Sequence, residues 1–145
     1  MRMIRKWPSM LLSIDPGKNI GWAKWSESGT LLSSGVWDFD ELIEFLGSER
    51  GITRVVYEDF ILYAHMANGR QTGSRFEASQ VIGAIKQFAK RKVPLTRQPA
   101  HILGVSAMHA GLTVPKGHMP DRMSAVLHGH YYFKGLKIQP DISAF

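Results

Sequence analysis

The chain has 145 residues, long enough for one domain with a buried core, and 44% of them are hydrophobic. It contains no cysteine, which excludes disulfides and thiolate metal sites. No apolar run approaches the roughly 20 residues of a membrane span. A formal net charge of +6 and a pI near 9.8 favour a polyanionic partner such as nucleic acid.

Residues 1–8 form a short basic arm. Neither they nor the brief apolar run behind them has the layout of a signal peptide, so the expected location is the cytoplasm, of a bacterium or of an infected host cell. Residues 10–14 form an apolar run of the kind a buried central strand shows, and it ends on Asp15. Pro16-Gly17 turns the chain, and residues 20–25 and 30–37 read as two further strands of an antiparallel meander. Asp38 is a helix N-cap with Glu41 as its capping-box partner. Leu42, Ile43, Phe45 and Leu46 supply the apolar face of that helix, which ends at Gly47 or Gly51. Residues 52–57 are β-branched and form a fourth strand that ends on Glu58 and Asp59.

Residues 61–74 lose periodicity and read as a mobile loop. Helical spacing returns over 76–91 through Val81, Ile82, Ile85 and Phe88, and ends in Lys90-Arg91-Lys92. Residues 93–97 contain a proline and form an edge strand. A helix is expected over 99–110, a connector over 112–117 and a last helix from Pro120 to about 133. The organisation is thus a basic arm (1–8), one α/β domain (9–135) and a C-terminal tail (136–145).

Two strands end in acids, at Asp15 and Glu58, and the last helix opens with His118 and Asp121, which a helix would place on one face. In an α/β sheet, adjacent strand ends and a nearby helix start bring such groups together. Three carboxylates and an imidazole in one place repel unless they bind cations. Magnesium and manganese take oxygen ligands, and two such ions about 3.5–4 Å apart stabilise in-line phosphodiester cleavage. Taken singly, each acid is explained as well by a cap or a solvated surface charge. The set is not. Gly17 and Gly21 make no phosphate loop, since no Lys-Ser/Thr ending or helix follows, and no nucleotide cofactor is expected.

Asp15-Pro16-Gly17 closing strand one, and Gly21-Trp22-Ala23 on strand two, resemble the opening of RuvC-type Holliday junction resolvases. So do Glu58 closing strand four and His118-Met119-Pro120-Asp121, with Ala125 and a late His128, on the last helix. That family has an RNase H-like mixed sheet: three antiparallel strands, then helix-linked parallel ones. The resemblance implies a Mg²⁺-dependent endonuclease, with Mn²⁺ as a substitute and two ions per site. Such an enzyme resolves four-way DNA junctions as a homodimer. Asp15, Glu58 and Asp121 would hold the metals, and His118, a position where other members carry Asp, would ligate metal or orient the attacking water. Alternation along the strand favours Glu58 over Asp59.

Phe60 and Tyr63 stand where the family stacks an aromatic on unpaired bases, although Phe60 serves core packing equally well. Arg70, Arg75, Lys86, Lys90, Arg91 and Lys92 are candidates for phosphate contacts, and Lys116, nearer the acids, is a better one. His65, His101, His109 and His130 read as structural. Asp121-Arg122 departs from the family's Asp-Ala, and the short connector is typical of bacteriophage-encoded members. The other readings are a flap or branched-DNA nuclease on the same fold, an actin-like ATPase fragment, and an inactive DNA-binding module.

Overall fold

The computed structural model describes residues 9–59, 73–90 and 92–145, apart from the side chains of 73–76. Along the chain run β1 (Met10–Asp15), β2 (Ile20–Ser26), β3 (Leu31–Trp37), α1 (Phe39–Ser48), β4 (Ile52–Glu58), α2 (Gly73–Ala89), β5 (Leu95–Gln98), α3 (Ile102–Ala110) and α4 (Asp121–Gly135). The five strands form one sheet in the order β3-β2-β1-β4-β5. The β1–β2 and β2–β3 pairings are antiparallel, whereas β1–β4 and β4–β5 are parallel. This is the α/β, RNase H-like arrangement expected from the sequence, with β1 at the centre and β5 at an edge.

Strand alternation divides the core. Leu12, Ile14, Val55 and Tyr57 face one way and pack with Leu42 and Leu46 of α1 and with Val81, Ile82 and Ile85 of α2. Leu11, Ala23, Trp25, Leu31 and Val56 face the other way and meet Ala125, Val126 and Phe133 of α4. A third cluster joins Met123 and Leu127 of α4 to Ala107 of α3. Residues 123–130 of α4 are therefore buried all round, between the sheet and α3. Such a helix shows no amphipathic stripe in the sequence.

Polar ties fix α4 in register on the sheet. The buried Ser13 hydroxyl donates to the Ala125 carbonyl at 2.7 Å and accepts the Trp25 indole N–H at 3.0 Å. Ser106 of α3 donates to the Leu127 carbonyl at 2.6 Å. A Cβ on Gly129 would overlap the Trp25 ring, so only glycine lets the helix lie this close.

The capping box of α1 is formed, with Glu41 N donating to Asp38 Oδ1 at 2.8 Å and Asp38 N to Glu41 Oε1 at 3.2 Å. Several boundaries differ from expectation, among them α2, which runs over Gly73–Ala89 and so takes in the end of the expected loop. α3 begins at Ile102 rather than at residue 99, after a turn in which Pro99 and Ala100 offer only carbonyls to Ile102 and Leu103. β5 runs on to Gln98, because its pairing with β4 continues as far as Glu58. His118 lies in a bend ahead of α4, not on it, because Met119, the residue before Pro120, is pushed out of the helical region and the helix starts only at Asp121.

Residues beyond α4 also pack. Asp141 bridges to Thr30 and exchanges backbone hydrogen bonds with Leu31 and Gly29, while Ile142 and Phe145 cover the α4 core. Among the described residues no helix is long and apolar enough to cross a membrane. Because Gly129 meets Trp25 directly, Gly129→Ala should lower unfolding stability by about 1–3 kcal/mol through overpacking. A urea titration monitored by circular dichroism checks this, with Gly83→Ala, where the added methyl meets open space, as the control.

Candidate active site

The alternation that directs Leu11 and Ser13 toward α4 directs Asp15 the same way, and in β4 it turns Val56 and Glu58 to that side. Because β1 and β4 are parallel neighbours, both acids emerge at the same end of the sheet. α4 starts above that end, so its first residue, Asp121, joins them. Its approach is close: a Cβ on Gly21, opposite Asp15 in the β1–β2 ladder, would overlap the Asp121 carbonyl. Asp59, one residue beyond Glu58, pairs instead with Arg97 of β5 at 3.8 Å.

Asp15 and Asp121 are both perturbed. Burial, reinforced by the charges of Glu58 and Asp121, raises the Asp15 pKa from 3.8 to about 8, against the opposing effect of the Ser124 hydroxyl. In its neutral form Asp15 is within hydrogen-bonding reach of Glu58. Burial also raises Asp121, which Glu58 pushes further up and His118 draws down. The His118 ring stands 3.9 Å from Asp121 Oδ1 and is largely exposed, at the rim of the cluster. The structure thus brings Asp15, Glu58 and Asp121 together, with His118 beside Asp121. Among the described residues, no group of three or more His, Asp and Glu side chains is spaced to hold a metal ion. In donor chemistry the set suits Mg²⁺ or Mn²⁺, which take carboxylate oxygens.

One neighbour was not assigned to the site from the sequence. His128 is completely buried in α4, with Nε2 3.1 Å from Glu58 Oε1 and Nδ1 2.7 Å from Gln98 Oε1. Its signal was the spacing: seven residues after Asp121 is two helical turns, hence the same face. Of the nucleic-acid candidates, Phe60, Tyr63, Arg70 and the side chain of Arg75 lie outside the described residues. Lys116 is exposed in the segment leading to His118. Lys86 is exposed in the last turn of α2. Phe88 of that turn and Val93 beyond it line a cavity with Ile52 and Thr53 at the start of β4, the end of the sheet away from Glu58.

No protein-family model matches the chain, and no curated protein matches it by sequence. Solved structures do. The fold is similar to that of Thermus thermophilus RuvC in complex with a Holliday junction substrate, with a TM-score of 0.58 and 16% identity over 88% of this chain and 96% of that one. A second Thermus thermophilus RuvC structure gives a TM-score of 0.57 and 15% identity over 89% of this chain and 97% of that one. The chain therefore has a RuvC-like fold.

The raised Asp15 pKa has a consequence for stability. The folded chain holds a proton there that the unfolded chain releases near 3.8, so the contribution is complete below 3.8 and is lost as pH rises through about 8. Asp15→Asn, which cannot ionise, should stabilise the metal-free protein at pH 8, and the gain should fade toward pH 4. Each pKa unit is worth about 1.4 kcal/mol, so half of the effect raises Tm by about 5–10 °C in a chain of this size. Thermal unfolding in chelator from pH 4 to 9 measures it.

Proposed function

We propose that the protein is a structure-selective DNA endonuclease that resolves four-way junctions by metal-dependent phosphodiester hydrolysis. The observation that carries the reading is the convergence of Asp15, Glu58 and Asp121 at one end of a RuvC-like sheet. Such crowding is electrostatically costly in the free protein and is relieved by a cation. On this reading Asp15, Glu58 and Asp121 hold divalent ions, two per site. When bound, the ions supply Lewis-acid stabilisation of the developing charge and a more acidic water. His118, at the exposed rim, orients or deprotonates that water. Lys116 lies on the approach to the acids and is suited to a phosphate, and the net charge of +6 favours a polyanionic substrate.

Two nicks placed symmetrically across a two-fold junction require two sites, so we infer action as a homodimer on branched DNA. The similarity to a RuvC bound to a Holliday junction substrate supports a four-way substrate over a flap. The compact connector before α4 supports a bacteriophage setting, with the enzyme acting in the cytoplasm of the infected cell.

The test is cleavage of a synthetic four-way junction, a flap and a plain duplex, with and without Mg²⁺. Paired symmetric nicks should appear only in the junction and only with metal, from a particle that light scattering shows to be a dimer. Asp121→Asn should abolish cleavage while junction binding persists. Wild-type turnover in that variant would remove Asp121 from the site.

The role of His118 is read separately. His118→Ala should lose about 10²–10⁴-fold in single-turnover rate, the span of general acid–base help, and His118→Asp should recover part of it. An imidazole ligates Mn²⁺ better than Mg²⁺, so a loss equal in both metals favours the proton-handling role and a loss larger in Mn²⁺ favours ligation.

A further inference from the structure

The strongest unassigned feature is the chain of contacts Gln98–His128–Glu58. It joins the end of β5, the middle of α4 and the end of β4, and nothing in the cleavage chemistry proposed above uses it. His128 has no solvent exposure and Gln98 is only 5% exposed, so neither exchanges its partner for water. A buried imidazole needs partners at both nitrogens, and here it has them, at 2.7 and 3.1 Å. The neutral ring donates from one nitrogen and accepts at the other. A glutamine amide presents an oxygen on one side and an NH₂ on the other, so Nδ1 is satisfied in either role. With the Gln98 amide turned so that its NH₂ faces Nδ1, Nε2–H donates to Glu58 Oε1.

We infer that His128, held by Gln98, is a positioning residue that fixes the orientation of the Glu58 carboxylate toward Asp15 and Asp121. Glu58 is the last residue of β4 and is partly exposed, and its side chain has several rotatable bonds. With one oxygen bound by Nε2, rotation of the carboxylate is restricted, and Oε2 is left to the shared cluster. Packing alone would not call for this arrangement. A leucine of similar size would fill the space between β4, β5 and α4 without creating two buried polar groups that must both be partnered.

The inference rests on the metal-binding reading of the carboxyl cluster, and the experiment separates the two. Mn²⁺ binding to the whole protein is measured by calorimetry for wild type, His128→Leu, His128→Gln and Gln98→Leu, alongside junction binding, Tm in chelator and single-turnover cleavage. Loss of an orienting partner behind a metal ligand costs about 10–100-fold in affinity. His128→Leu should weaken Mn²⁺ binding by that factor and leave junction affinity unchanged. His128→Gln, whose amide can still donate to Glu58, should recover part of the loss, and Gln98→Leu should show a smaller one.

A purely structural histidine predicts a lower Tm with Mn²⁺ affinity unaltered. That result overturns the inference. Should His128→Leu fail to fold, Gln98→Leu decides alone, and wild-type Mn²⁺ affinity in that variant overturns the inference equally. If the wild-type protein binds no Mn²⁺, the metal reading itself falls and the positioning role goes with it.

Discussion

The architecture depends on how closely α4 lies on the sheet. Two glycines make that contact possible, Gly21 beneath the start of the helix and Gly129 against Trp25. Between them Ser13 ties the helix backbone to the central strand. Because α4 has neighbours on all sides, its register cannot shift without disrupting two cores at once. Asp121 and His128 sit on this fixed rod, and Asp15 sits on the strand beneath it. The relative placement of the acids is therefore set by backbone packing more than by their own contacts. Arg122, beside Asp121, adds an anchor through Ser34 of β3 at 2.8 Å and the Phe145 ring at 4.5 Å.

Gathering three acids opposes folding, and the structure limits the opposition in identifiable ways. Asp59 is directed to the far side of the strand and offset by Arg97. Asp15, the most enclosed of the three, keeps its proton up to about pH 8. Asp121 keeps His118 at its side. What remains is a site whose lowest-energy state without metal is partly protonated. A neutral side chain in place of any of these acids would ease folding, so stability does not account for the cluster.

Much of this was legible in the sequence. The meander, the β-branched fourth strand and the capping box at Asp38 follow from local patterns, because propensity and tertiary context agree there. Asp15 and Glu58 were recognisable because apolar strands that end on acids place them at one end of the sheet. Less visible was anything decided by long-range packing. A helix buried all round carries no amphipathic stripe, so the environment of α4 could not be read from periodicity. The bend at His118 follows from Pro120, yet its distance from Asp121 depends on how the connector returns. His128 entered the sequence reading only as the late His of the last-helix motif, with no role, since its partners Gln98 and Glu58 lie 30 and 70 residues away.

The tryptophans give the two faces of the sheet separate optical signatures. Trp25 is buried on the α4 side, with its indole N–H on Ser13 and its ring beside Phe133 at 5.5 Å. Trp22 and Trp37 stack at 4.6 Å on the other side, beneath Phe45 of α1 and the ammonium of Lys24. Emission from the first reports whether α4 is docked, and emission from the stacked pair reports the α1 layer. With Trp7 also replaced, substituting either set leaves the other as the intrinsic fluorophore. Whether the two layers of this small domain come apart together or in sequence then becomes a question of colour and quenching, answerable without attaching a dye.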